Sequence, residues 1–192
     1  MPADIEGNNL QGVNIPITGA CAWAPVDAAN IVADADLADP DLALLTDYPA
    51  YVKLGLIKAD GGVQAAAESG DRIEFFQDGY SLASSDTHTV EVGLAQGDSI
   101  VQRFLHGVAP NNEGVYYVTA AVPDNQFILF TEVIYKNGAK ERCNGIAVIT
   151  QIASDKAERG ATRGYTVTLQ WQASTLTNGA KYKVAHVAPQ AA

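Results

Sequence analysis

The sequence predicts a mainly β chain: a sandwich or barrel with one short flanking α-helix, an extended N-terminal arm and long loops. Roughly nine or ten short strand-like runs are separated by turn signals, the spacing expected of sandwiches and barrels. Alternation is cleanest near the C-terminus. There Tyr165, Val167, Leu169 and Trp171 fall on one face, and Thr166, Thr168, Gln170 and Gln172 on the other. Only one stretch has a convincing helical period. After Gly97-Asp98, the residues Ile100, Val101, Phe104 and Leu105 recur at spacings that put them in one apolar stripe. Asp98 is placed to cap the first free N–H groups and Gly107 to close the helix. A lone short helix buries its stripe only by lying on a sheet, so it is expected to pack on the sheet made by its neighbours.

Taken in order, residues 1–15 are polar and Gly/Asn-rich and read as a flexible arm. Residues 16–188 read as one β domain with an acidic insertion at about 27–48, and 189–192 as a tail. Ile15–Pro25 reads as a strand bounded by prolines, with Trp23 a packing aromatic rather than a ligand platform. Asp27–Tyr48 reads as a solvated acidic loop with a helical turn near Asp41–Leu45. Tyr51–Ile57 reads as a strand and Ala59–Gly70 as a Gly/Ala-rich loop. Arg72–Tyr80 reads as a strand, Ile73 and Phe75 opposing Glu74 and Phe76, with turn chemistry at Gln77-Asp78-Gly79-Tyr80. Asp86–Gln96 alternates Val90, Val92 and Leu94 against Thr87, Thr89 and Glu91. Val115–Val122 reads as β, and Gln126–Tyr135, apolar on both faces, as a central strand. Asn137-Gly138 is a hairpin turn leading into Lys140–Ile152, with Ile146, Val148, Thr150 and Ile152 sharing a face. Asn178-Gly179 turns into a last strand, Lys181–Val187.

The chain has 192 residues, 47% of them hydrophobic, enough for a sizeable core. No apolar run approaches the ~20 residues of a membrane helix. The first residues carry neither the basic start nor the apolar segment of a secretory signal, so a reducing cytoplasm is the expected compartment. Cys21 and Cys143 fit buried thiols there, with pairing left open. The net charge is −10, and its distribution is uneven. Residues 1–52 hold Asp4, Glu6, Asp27, Asp34, Asp36, Asp39, Asp41 and Asp47 and no Lys or Arg. This argues against a nucleic-acid-binding surface, which needs a basic patch. An acidic surface could instead keep DNA from sticking where it slides past.

Chemistry has little to stand on. His88, His106 and His186 make no metal-ligand spacing, and the acidic segment lacks the Gly and Glu positions of an EF-hand loop. Gly97-Asp98-Ser99 matches the GDS block of one serine-hydrolase family, but no Asp-x-x-His follows, and a helix start explains it better. No GxSxG, P-loop or strand-following GxGxxG occurs. The expectation is a protein that is not an enzyme and takes no cofactor or metal. Two weaker readings are a carbohydrate-binding sandwich using Trp23 and exposed tyrosines, and a hydrolase using Ser99.

One ordered set of motifs resembles a known family. Leu54-Gly55-Leu56-Ile57-Lys58-Ala59-Asp60-Gly61-Gly62, then Gln77-Asp78-Gly79, then Asp98–Gly107, resemble the tail tube (major tail) proteins of long-tailed, non-contractile bacteriophages. The Gly114–Thr119, Phe127–Tyr135 and Tyr165–Trp171 segments look similar as well, so the likeness spans roughly residues 50–175. The acidic segment 27–48 lies outside it. The resemblance implies a tail-tube β-sandwich with one flanking helix, assembled in the bacterial cytoplasm as stacked hexameric rings of a virion tail. Its partners would be further copies of itself, a tape measure protein in the lumen, and terminator and distal tail or baseplate proteins at the ends. DNA would pass through without specific binding, with no membrane anchor. The Arg72–Gly107 unit would form part of the ring wall with its helix behind. Candidate assembly residues are Ala59, Asp60, Gly61 and Gly62 in one loop, and Asp78, Gly79 and Tyr80 at the turn. The tube protein of a contractile or type VI-like machine, with a similar fold, is the nearest structural alternative.

Overall fold

A computed structural model describes residues 13–120 and 122–189. The proposed arm therefore lies mostly outside the described residues, as does most of the C-terminal tail. The chain is mainly β, as the alternation predicts. Seven strands follow one another across a sheet: β1 (Pro16–Ala24), β2 (Val52–Lys53), β3 (Gln64–Glu68), β6 (Thr87–Leu94), β7 (Phe127–Tyr135), β8 (Lys140–Ser154) and β9 (Tyr165–Gln172). Their spatial order is β2-β1-β7-β8-β9-β6-β3, and β10 (Lys183–Val187) pairs with β8. The remaining strands, β4 (Arg72–Glu74) and β5 (Ser81–Ala83), form a separate two-stranded hairpin.

The long strand β8 joins two wings. Its first half pairs with β7 and β10, and its second half with β9. A register shift between Ile149 and Gln151 marks a bulge. An extra residue changes the phase of a strand. Hence Ile146 and Ile152, assigned to one face by spacing, serve different cores: Ile146 joins one cluster and Ile152 packs on the other. The main cluster draws on both wings, with Cys21 and Leu129 meeting Val90, Val92, Val167, Leu169 and Trp171. That arrangement is a sheet folded over its own apolar face. The helix α3 (Ser99–His106) adds Val101, Phe104 and Leu105 to this core. Ile100 is 39% exposed. At about 100° per residue it sits roughly 90° from the middle of the buried three, at the margin of the stripe.

The acidic segment departs most from the sequence reading. It is not a solvated loop. A 3₁₀ turn (Ala28–Asn30), α1 (Asp34–Ala38) and α2 (Leu44–Asp47) bring Val32, Leu37, Leu44 and Tyr51 onto the outer face of the β1-β7-β8 wing, against Ala22, Ile128, Phe130 and Ile146. Basic groups from the sheet hold it there. Arg142, fully buried, bonds Glu132 at 2.7 Å and donates to Leu37 O at 3.2 Å. Lys140 Nζ donates to Pro40 O at 2.6 Å, and Lys183 Nζ to Val32 O at 2.6 Å and Asp34 at 2.8 Å. Asn144 accepts from Val32 N and donates to Tyr51 Oη and Leu129 O. The segment brings no cation of its own, so its cationic contacts come from β8 and β10, over 90 residues away in sequence: Lys183 pairs with Asp34, while Lys140 and Arg142 bond backbone carbonyls. No period within the segment could signal this, because its apolar residues are too few and too irregularly spaced.

Three further corrections follow. Ala59–Gly70 contains β3, an edge strand paired with β6, so it is only partly a loop. Tyr51–Ile57 shrinks to the two residues of β2 and a bridge from Ile57 to Leu94. Val115–Val122 forms no strand among its described residues despite its β-rich composition; no ladder partner reaches it. Cys21 and Cys143 both register against Thr131, on its opposite sides. Two strand spacings, roughly 9–10 Å, separate them, beyond the reach of a disulfide.

Candidate assembly interface

Asp98 and Ser99, the one sequence match to a nucleophile motif, begin α3. Asp98 Oδ1 accepts from Ile100 N at 3.1 Å and Val101 N at 3.0 Å. Gly107 closes the helix at φ 67°. The histidines are engaged elsewhere: His88 with Asp86 at 2.6 Å, His106 with Gln102 at 3.1 Å and His186 with Glu141 at 3.7 Å. In the acidic segment four carboxylates have local work. Asp27 caps Ala29 N, Asp39 accepts from Asp41 N, Asp47 from Ala43 N, and Asp36 from Tyr48 Oη at 2.6 Å. Among the described residues, no group of three His, Cys, Asp or Glu side chains is placed to hold a metal ion. Trp23 lies against Phe104 and Phe127, with Arg103 5.8 Å above its ring, so it is a core aromatic and no platform.

What the surface does offer is unpartnered apolar structure. The β4–β5 hairpin pairs Ile73 with Leu82 and turns through Gln77–Tyr80, with Gly79 at φ 85°. Only glycine takes that backbone conformation without strain. Ile73, Phe75, Phe76, Tyr80 and Leu82 are all exposed, Phe76 completely, and none joins either core cluster. An isolated two-stranded hairpin is marginally stable in water. Among the described residues, its aromatic side chains are left largely exposed.

The second candidate group, Ala59–Gly62, sits in a different place. Lys58 N and Gly93 O, then Gly93 N and Gly61 O, bond the loop to β6. A Cβ on Gly61 would come within 2.9 Å of Gly93 Cα, so this glycine is required by close backbone packing inside the fold. Ala59 and Gly62 are exposed and border a cleft of about 490 Å³ between the start of β1, the Gly55–Val63 loop and the far wing. Ile17, Leu56, Ile57, Val133 and Trp171 line it, with Cys143 in its wall. Burial pushes the Cys143 thiol up to about 11, with the Glu141 carboxylate adding to the effect. Burial alone pushes Cys21 up to about 12. The structure thus seats the two sequence-chosen groups apart, one at a hairpin tip and one at a cleft rim. Sequence reading missed the cleft itself, because its walls come from segments more than 100 residues apart.

No family model matches the chain, and no curated protein matches it. Among solved structures, a chain in the virion of a native gene transfer agent particle is similar at 10% identity and TM-score 0.38, covering 72% of this chain and 89% of that one. A chain in the tail of an empty gene transfer agent particle, with C6 symmetry, is similar at 12% identity and TM-score 0.35, over 63% and 81%. A chain in the six-fold symmetrised baseplate of the anti-feeding prophage is similar at 9% identity and TM-score 0.41, over 90% and 97%. At these values the likenesses identify neither a family nor an activity.

Proposed function

We propose that this chain is a structural subunit that polymerises, as stacked rings, into the hollow tail tube of a long-tailed phage or phage-like particle. One observation carries the reading: the β4–β5 hairpin projects five exposed apolar side chains that join neither core among the described residues. Monomeric soluble proteins rarely display contiguous apolar patches beyond a few hundred Å², and such patches mark interaction sites. The exposed edge strand β3 supports the reading too, since an open strand edge is a template for pairing with another chain. The ordered motifs at 54–62, 77–79 and 98–107 point the same way. Hexameric stoichiometry, a tape measure protein in the lumen and passage of DNA belong to this proposal through the resemblance alone.

The test is direct. The purified protein, concentrated and viewed by negative-stain electron microscopy, is expected to give rings or hollow tubes. A sharp monomer peak at every concentration, with retention on a glycan array, would instead favour the carbohydrate-binding alternative.

A further inference from the structure

We infer that the hairpin tip of one copy seats Phe76 in the Leu56–Trp171 cleft of a second copy, making a heterologous knob-and-hole contact. The inference rests on the self-assembly reading and names the surface that receives the hairpin. The two features are unmatched on the same molecule. Phe76 is fully exposed, so it does not fill its own chain's cleft. The cleft, about 490 Å³, is walled mainly by apolar side chains, with Leu56 and Ile17 strongly exposed at its rim. Its volume accommodates an aromatic side chain together with the neighbouring turn.

The area is consistent with a working contact. With fully exposed aromatics presenting roughly 200 Å² each, Phe75, Phe76 and Tyr80 at their exposures offer about 450 Å² between them. Ile73 and Leu82 add to this. That is more than half of the roughly 800 Å² per partner of a standard interface, from a single hairpin. The contact also supplies the packing partner that a lone two-stranded hairpin lacks. Where a copy's knob and its hole engage two different neighbours, the contact is heterologous and does not end in a closed pair. Repetition then gives a ring or an open-ended tube.

Three proteins test this: wild type, Phe76→Ser, and Ala65→Trp, which crowds the cleft from its exposed β3 wall. Sedimentation and electron microscopy would follow assembly, and thermal melts would confirm that each variant folds. Both variants are expected to raise the concentration needed for assembly on the order of tenfold or more, as loss of a central aromatic anchor does. In parallel, Phe76→Cys mixed with isotopically labelled Ala59→Cys, a change at the exposed cleft rim, and a short bismaleimide should link residue 76 of one copy to residue 59 of another. Assembly of Phe76→Ser at the wild-type concentration, or a labelled copy linked anywhere but at residue 59, overturns the inference and leaves the tube reading standing. Wild-type protein that stays monomeric throughout overturns both.

Discussion

Replacing Arg142 with Met tests how the acidic segment is attached. The side chain is fully buried on β8, in register with Glu132 on β7. Its Nε donates to Glu132 Oε2 at 2.7 Å, and its Nη1 to Leu37 O and Asp39 O at the end of α1. Removing it strands a carboxylate and two carbonyls. Breaking a buried ion pair from one side costs about 3–5 kcal/mol. Two features pull the value down. The Glu132 side chain keeps 19% exposure and regains some water, and Arg142 Nη2 already lacks a partner among the described residues, so its desolvation is relieved. About 3 kcal/mol is therefore expected for Arg142→Met. The double variant Arg142→Met with Glu132→Gln should recover part of that loss, because the stranded charge is gone. Urea unfolding followed by the fluorescence of Trp23 and Trp171 measures both. Limited proteolysis should cut first between residues 34 and 47 in the single variant. A loss under about 1 kcal/mol, or a double variant as weak as the sum of its parts, would refute the claim that sheet cations hold this layer in place.

Other outcomes follow from the same geometry. Tyr51→Phe removes a hydroxyl that donates to Asn30 O at 2.7 Å and accepts from Asn144, and should cost about 1–2 kcal/mol in denaturant titrations. Gly138→Ala forces a side chain onto φ 83° in the β7–β8 turn and should cost about 1–2 kcal/mol by the same assay, although the new Cβ would meet Pro189 only at ordinary contact distance, 3.7 Å. Asp98→Ala should lower stability by about 1 kcal/mol through the lost cap of α3, and an effect near zero would argue against that role. Alkylation of Cys143 should be slow near neutral pH and accelerate as pH rises toward about 11, because only the thiolate reacts. Hydrogen bonds from Lys181 and then His88 hold the Asp86 carboxyl down at about 2. Its folded value is depressed, so its contribution to stability is present above the usual carboxylate range near 3.8 and is lost as pH falls toward 2. The exposed site makes the effect small, and Lys181→Met should flatten it in acid titrations.

Local pattern carried a good deal. The strands at Tyr165–Gln172, Thr87–Leu94 and Phe127–Tyr135, the Asn137-Gly138 turn and the single eight-residue helix all have short-range causes: period, cap and turn chemistry. Those causes act within a few residues, so they can be read in order along the chain. The candidate interface was legible in part, through the Asp-Gly turn and the Gly-rich loop. Its receiving cleft was not.

By itself, then, the sequence determined a mainly β chain, the helix α3 and an acidic first quarter without a single cation. Tertiary structure alone decided three things. A bulge after Ile149 sends β8 into two wings and reverses which residues share a face. Lys140, Arg142 and Lys183 turn the acidic stretch into a packed outer layer. And β4–β5, which by composition belongs in a sheet wall, stands apart with its aromatics in water. The physical reason is common to all three. Pairing partners, counter-charges and cover come from residues far away in sequence, and strand period cannot say which distant segment arrives.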